Sequence, residues 1–214
     1  MTSAAPLPDK RRADWKETGI EHFSRIYREL DAGEIAARCK LPFSGGTFSL
    51  RLMGQEYMAG FPVFTLEAAD GGGEAALAVR ALVLRYLCQG RWARAAGRRL
   101  SYREVPWGET YFANFEGRCI KRLAALAGDP EGFCRFFEHT PALRAEKLPT
   151  QLGYRFEFLS DLFFTFILWP GDDEFPAQAQ ILFDDNIPAA FTAEDLAVAG
   201  DIAIGTLKKA MAGF

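Results

Sequence analysis

Histidine is nearly absent from this chain: His22 and His139 are the two among 214 residues. A histidine-based triad needs a nucleophile and a carboxylate brought beside one of them. No Gly-x-Ser-x-Gly elbow accompanies either. His22 adjoins Phe23 in a helical pattern, and His139 falls at a helix end, where a cation is favourable. Triad hydrolysis and a histidine-rich metal site are therefore not expected. Cysteine is sparse too. Cys39, Cys88, Cys119 and Cys134 are scattered with no Cys-x-x-Cys pair, whereas metal sites usually present close ligand pairs. Reduced thiols in a cytoplasmic protein are the expectation, and no metal is assigned.

Long apolar runs are also missing. The densest, Leu162 to Pro170, is strand-sized and far short of a membrane span. Met1 to Pro8 shows no basic stretch followed by an apolar one, so no secretory leader is expected. An excess of positive charge is lacking as well. Lys and Arg number 25 against 28 Asp and Glu, for a net charge of −3. Short basic clusters at Lys10-Arg11-Arg12 and Arg91 to Arg99 read as solvated surface. Neither a nucleic-acid nor a membrane partner is expected.

What the chain does have is apolar mass. Hydrophobic residues make up 49%, and 19 are Phe. Each large aromatic brings much area to a core. The length suits one domain. Residues 1–9 read as a flexible tail and 10–214 as a single α+β domain, with an antiparallel or mixed sheet and segregated helices.

The pattern supports that reading. Phe23, Ile26, Tyr27 and Leu30 share one helix face. Thr47 to Met53 alternates as a strand, and Gly54-Gln55 suits a type II′ hairpin turn. Asp70-Gly71-Gly72-Gly73 is a linker rather than a phosphate loop, because no Gly-Lys-Ser/Thr follows. Ala75 to Leu87 is apolar nearly all round and predicts a buried helix. Ser101 to Val105 suggests a short strand, Pro106-Trp107-Gly108 a turn, and Tyr111 to Ala127 a helix. Pro130 opens another helix, capped by Asp129 or Gly128. Tyr154 to Phe158, Leu162 to Trp169 and Ala177 to Phe183 are strands, the second buried on both faces. Thr192 caps the last helix.

Two constellations carry candidate chemistry. The first is the acidic loop Asp172-Asp173-Glu174, bracketed by Trp169 and Phe175. Carboxylates suit a hard cation or acid/base work. A solvated turn explains the same residues, and an Asp accepting backbone N–H bonds would organise it. Asp184 and Asp185 fall at the far end of the next strand, about 20 Å away at roughly 3.3 Å per residue. The second constellation surrounds Tyr102, Trp107 and Tyr111, with Glu104, Glu109, Arg98 and Arg99. Mixed aromatic and charged residues in a loop can line a pocket; packing of aromatics over the core edge is the blander reading.

The stretch Leu168-Trp169-Pro170-Gly171-Asp172-Asp173-Glu174-Phe175-Pro176-Ala177, then Ile181-Leu182-Phe183-Asp184, then Thr192-Ala193-Glu194-Asp195, resembles domain of unknown function 3786. The resemblance is specific over residues 153–210 and looser upstream, at Ala81 to Leu87 and Tyr102 to Gly108. Members occur mainly in anaerobic bacteria and archaea, and some relatives are fused to iron–sulfur or corrinoid-associated modules. The resemblance implies no established activity. It suggests an accessory role in anaerobic metabolism, although this chain carries no iron–sulfur cysteine cluster of its own.

Three functions follow as expectations. The first is a non-catalytic domain that binds a ligand, cofactor or protein partner, using Trp169, Asp172, Asp173, Glu174, Phe175, Trp107 and Tyr102. The second is a carboxylate enzyme, metal-assisted or acid/base, centred on Asp172 and Glu174. The third is an oligomer joined through exposed sheet edges. The sequence names no cofactor and leaves the oligomeric state open.

Overall fold

A computed structural model describes residues 10–213. The expected tail, residues 1–9, lies outside the described residues. Helices α1 (Lys10–Arg28) and α2 (Ala32–Cys39) come first. Asp31 separates them by capping α2, its Oδ1 accepting from Glu34 N at 2.9 Å. An antiparallel meander follows: β1 (Phe43–Ser44), β2 (Thr47–Leu52), β3 (Gln55–Gly60) and β4 (Leu66–Ala68). Helix α3 (Leu77–Gln89) packs along α1. After β5 (Arg99–Ser101) come α4 (Gly108–Phe115), α5 (Lys121–Ala124) and α6 (Pro130–Glu138). The chain then adds β6 (Glu146–Lys147), β7 (Leu152–Leu159), β8 (Leu162–Trp169) and β9 (Gln178–Asp184), and ends with α7 (Ile187–Ala190) and α8 (Ala193–Met211).

The strands form one open sheet in the order β4-β3-β2-β7-β8-β9-β5, with β1 on β2 and β6 on β7. Every pairing is antiparallel. Antiparallel neighbours need no crossover helix, so the fold is α+β. β8 lies between β7 and β9, and its residues up to Leu168 are buried, as its unbroken apolar run requires. On one face of the sheet the aromatics interlock. Phe158 stacks on Phe164 at 4.3 Å, and Phe164 meets Phe183 edge-on at 4.8 Å. Phe137 of α6 closes over Tyr154 at 4.7 Å.

Three local expectations need correction. The β2–β3 hairpin turns at Met53-Gly54, because Leu52 pairs with Gln55. Both turn residues have positive φ, 48° and 79°, which is the type I′ signature rather than II′. Met53 accepts that conformation while its side chain is buried and its N–H donates to Phe158 O at 2.8 Å. The short strand is Arg99–Ser101, and Tyr102–Glu104 turns as a 3₁₀ helix. Glu104 takes Ser101 N–H at 2.8 Å, a capping contact that ends the strand there. The helix read over Tyr111 to Ala127 contains a π-helical turn, Glu116–Ile120.

The sheet has one narrow seam. β2 and β7 share a single register pair, Leu52 with Leu159, and a bulge in β7 interrupts the ladder beside it. Glu157 crosses this seam with 1% of its surface exposed. Its carboxylate accepts from Arg51 of β2 at 2.9 and 3.1 Å, from Arg144 at 3.1 Å, and from the N–H of Asp161 at 3.0 Å. A buried carboxylate is tolerated only when its lone pairs are filled in this way. Replacing Glu157 by Ala removes the buried acceptor shared by Arg51 and Arg144, leaving them only the more exposed Glu56 and Asp161, and is expected to cost about 3 kcal/mol. Glu56→Ala, which removes an exposed partner of Arg51, is expected to cost no more than about 1 kcal/mol. Urea denaturation of the two variants checks the contrast, and equal losses would refute it.

Candidate functional site

The acidic loop joins β8 to β9, and its structure is that of a self-contained turn. Asp172 Oδ1 accepts from Phe175 N at 2.7 Å and Glu174 N at 2.9 Å, while Asp172 N donates back to Phe175 O at 2.9 Å. These backbone N–H groups, that of Phe175 foremost, hold the Asp172 carboxyl below its usual value. Gly171 is required by close approach, since a Cβ there would lie 2.6 Å from Ala177 N. Asp173 and Glu174 are exposed. Trp169 and Phe175 flank the turn with 40% and 62% of their surface open to solvent. The turn lines none of the cavities along α8 or at the β2–β7 seam.

The other acidic residues of the C-terminal pattern are also engaged internally. Asp184 pairs with Arg155 at 2.6 Å. Asp185 accepts from Ala96 N at 2.9 Å and Arg98 N at 3.2 Å. Among the described residues no group of three or more His, Cys, Asp or Glu side chains is arranged to hold a metal. The four cysteines are free thiols. Burial pushes Cys39 up to about 11, and Cys88 and Cys119 up to about 12, so these three are not thiolates at neutral pH.

Tyr102 and Trp107 lie elsewhere, where the structure does make a groove. β5 pairs with β9 through Leu100 and Phe183, which delivers Tyr102 to the start of α8. Its ring stacks on Phe115 at 3.9 Å, and its hydroxyl donates to Ala193 O at 2.8 Å. Burial, with Cys119 nearby, raises that hydroxyl to about 12; it is a neutral donor. The chain then turns through Trp107, whose φ is +66° and whose surface is 76% exposed. Left-handed backbone is costly for a bulky residue. Gly108 must follow, because a Cβ there would collide with Tyr102 O.

Helix α8 begins with a reciprocal cap between Thr192 and Asp195. Asp195 also pairs with Arg85 of α3 at 2.8 Å. Three cavities run along this end of the helix. One of about 290 Å³ lies between Tyr102, Tyr111, Asn114, Arg118, Glu194 and Val198. A second, of about 210 Å³, lies under Trp107 between Arg85, Pro188, Phe191 and Asp195. A third, of about 30 Å³, touches Arg85, Glu194, Asp195 and Val198. It therefore shares walls with both larger cavities and makes them neighbours in one band.

The π-helical turn shapes the far end of the band. Single π turns inside α-helices are often found at functional sites. Here the turn carries Arg118 on the wall of the cavity of about 290 Å³. Arg118 pairs with Asp201 at 2.7 Å, and Arg122 contacts the same carboxylate. The Nε of Arg118 is buried without a hydrogen-bond partner. Two guanidinium groups thus share one acid. The sequence contains no signal for this turn, because Phe115, Cys119 and Leu123 keep an α-like apolar spacing through it. Arg118, Asn114 and Glu194 were not legible as site residues.

Of the sequence candidates, the structure places Tyr102 and Trp107 along the groove. It leaves Trp169, Asp172, Asp173, Glu174 and Phe175 together at the hairpin turn. The depressed carboxyl of Asp172 means that its contacts stabilise the turn above the ordinary Asp value of 3.8 and are lost as pH falls through the lower folded value. In NMR titrations the amides of Glu174 and Phe175 are expected to shift with a midpoint below 3.8, and Asp172→Asn is expected to abolish that transition. A midpoint at or above 3.8 would remove the carboxylate from the turn.

Comparison with known proteins returned a family and nothing closer. No curated protein and no solved structure matches the chain. The sequence profile of the family described as Domain of unknown function (DUF3786) matches residues 31–206, which include every strand of the sheet and most of α8. The chain belongs to the DUF3786 family.

Proposed function

We propose that this protein is a non-catalytic binding domain that holds a small organic ligand in the groove along the start of α8. The family resemblance suggests an accessory role in anaerobic metabolism as its setting. The observation that carries the reading is the band of adjoining cavities, walled by Tyr102, Tyr111 and Trp107 and ending at Arg118. Aromatic walls with a few placed polar groups are the usual composition of ligand sites. The surplus cation beside Asp201 favours a ligand with a carboxylate or phosphate at one end and a planar or apolar body. The largest of the groove's cavities, about 290 Å³, is at the low end of the range for ligand pockets, about 300–1,000 Å³. That favours a metabolite-sized ligand over a corrinoid or heme.

Binding is favoured over catalysis because the titratable groups are occupied. Asp195 caps its helix and pairs with Arg85, and the Tyr102 hydroxyl is given to a carbonyl. A carboxylate enzyme centred on Asp172 and Glu174 would have an exposed turn and no adjoining cavity among those described. An oligomer through sheet edges is not favoured, since the end strands β4 and β5 have three residues each, and short edges discourage pairing.

The test is a thermal-shift and tryptophan-fluorescence screen with pools of aromatic carboxylates and nucleoside monophosphates, with flavin, heme and a corrinoid as separate arms. Binding of an anionic aromatic pool is expected. It is expected to be blocked by Val198→Trp, which fills the cavity, and weakened about fivefold or more by Tyr111→Ala. No response from any pool at millimolar concentration, or binding indifferent to both variants, would overturn the reading.

A further inference from the structure

A fourth cavity, of about 330 Å³, lies away from the α8 groove, at the seam between β2 and β7. Its walls are predominantly charged. Lys40 and Arg51 face Glu56, Glu157 and Asp161, and Leu41, Pro42 and Leu50 supply an apolar strip. Arg144 stands behind Asp161 at 2.6 Å. Two cations and three carboxylates therefore line one small space.

Two helix ends and a hairpin turn present those side chains. Lys40, Arg144 and Asp161 all have left-handed φ, 54°, 48° and 61°. Glycine would adopt these conformations without cost. Instead each position carries a charged residue, and the three are linked in one chain of ion pairs, Lys40 to Asp161 to Arg144.

Donors and acceptors of both signs remain unspent on the cavity walls. Lys40 Nζ has only a 3.4 Å contact with Asp161 and lies 3.9 Å over the Trp92 ring. Arg51 Nε is buried without a partner. Ser160 Oγ accepts from Arg51 N at 2.9 Å, which leaves its proton free to donate. On the acidic side, Glu56 uses one oxygen on Arg51 at 3.2 Å, so the other is open. Glu157 is fully committed to the seam and serves as the fixed floor.

We propose that this cleft binds a free α-amino acid, its carboxylate taken by Lys40 and Ser160 and its ammonium by Glu56 and Asp161. An anion alone would meet three carboxylates, and a cation alone would meet two cations. A zwitterion meets both signs with complementary charge. The volume admits the main-chain groups and a side chain lying along Leu41, Pro42 and Leu50.

Saturation-transfer NMR on the full chain tests this, with acidic, basic, polar and apolar pools of L-amino acids as probes. N-acetyl amino acids and amino-acid amides form two control arms. At least one pool is expected to bind, with both blocked forms about tenfold weaker or more. Lys40→Met and Glu56→Gln, both at exposed side chains, are expected to weaken binding to a similar degree without lowering the melting temperature. Val198→Trp, in the other groove, is expected to leave it unchanged. Absence of binding in every pool, equal binding of the blocked forms, or loss in Val198→Trp alone would each overturn the proposal.

Discussion

The sheet depends on Glu157. Its two halves, β4-β3-β2 and β7-β8-β9-β5, meet at one register pair. A ladder that short contributes few backbone bonds, so side chains must fix the seam. Glu157 does so by joining the guanidinium of one half to a turn residue and a hairpin amide of the other. Ser160 adds a reciprocal pair with the Arg51 backbone, N–H to O at 2.9 Å and Oγ from N at 2.9 Å. Such a carboxylate is tolerable because each of its contacts is charge-assisted or to backbone, and it becomes a liability when one partner is removed.

On the helical face the constraint is shape rather than charge. Phe rings of β7, β8 and β9 interlock edge to face and stacked, which is the arrangement their quadrupoles prefer. α8 packs against α3, α4 and α6. It approaches the π-helical turn closely because Gly200 has no side chain; a Cβ there would lie 2.8 Å from Cys119 Sγ. The open ground between Tyr102, Arg118 and the first turns of α8 is what remains once these elements are seated. The groove is thus a consequence of where α8 is allowed to sit. Its polar lining is supplied by residues whose first duty is capping or pairing.

The acidic residues of the C-terminal pattern have a common physical explanation. Asp172 organises the β8–β9 turn, Asp184 neutralises Arg155, and Asp195 closes the first turn of α8 while holding Arg85. Each satisfies donors that would otherwise be orphaned at a turn, a strand end or a helix start. That pattern is in large part the folding instruction for this chain's last hairpin and helix. The groove is walled in part by the first turns of that helix, and the seam cleft lies at β2 and β7.

Sequence alone determined the α+β class, the central place of β8, the Thr192 cap and the family. It did so because periodicity, capping and an unbroken apolar run are local properties, written within a few residues of where they act. It also singled out Tyr102 and Trp107 as pocket candidates by their mixed aromatic and charged company. What it could not reach were the residues whose meaning depends on distant partners. Glu157 reads as an ordinary polar position in an alternating strand, and only its encounter with Arg51 and Arg144 makes it buried and indispensable to the seam. Arg118 reads as one more charge on a helix until the π turn aims it at a cavity walled by α8. The acidic turn was conspicuous because three carboxylates stand side by side, but consecutive charges in a chain need not meet one target. Which of them faced a cleft was decided by tertiary packing, and packing left all three at the surface.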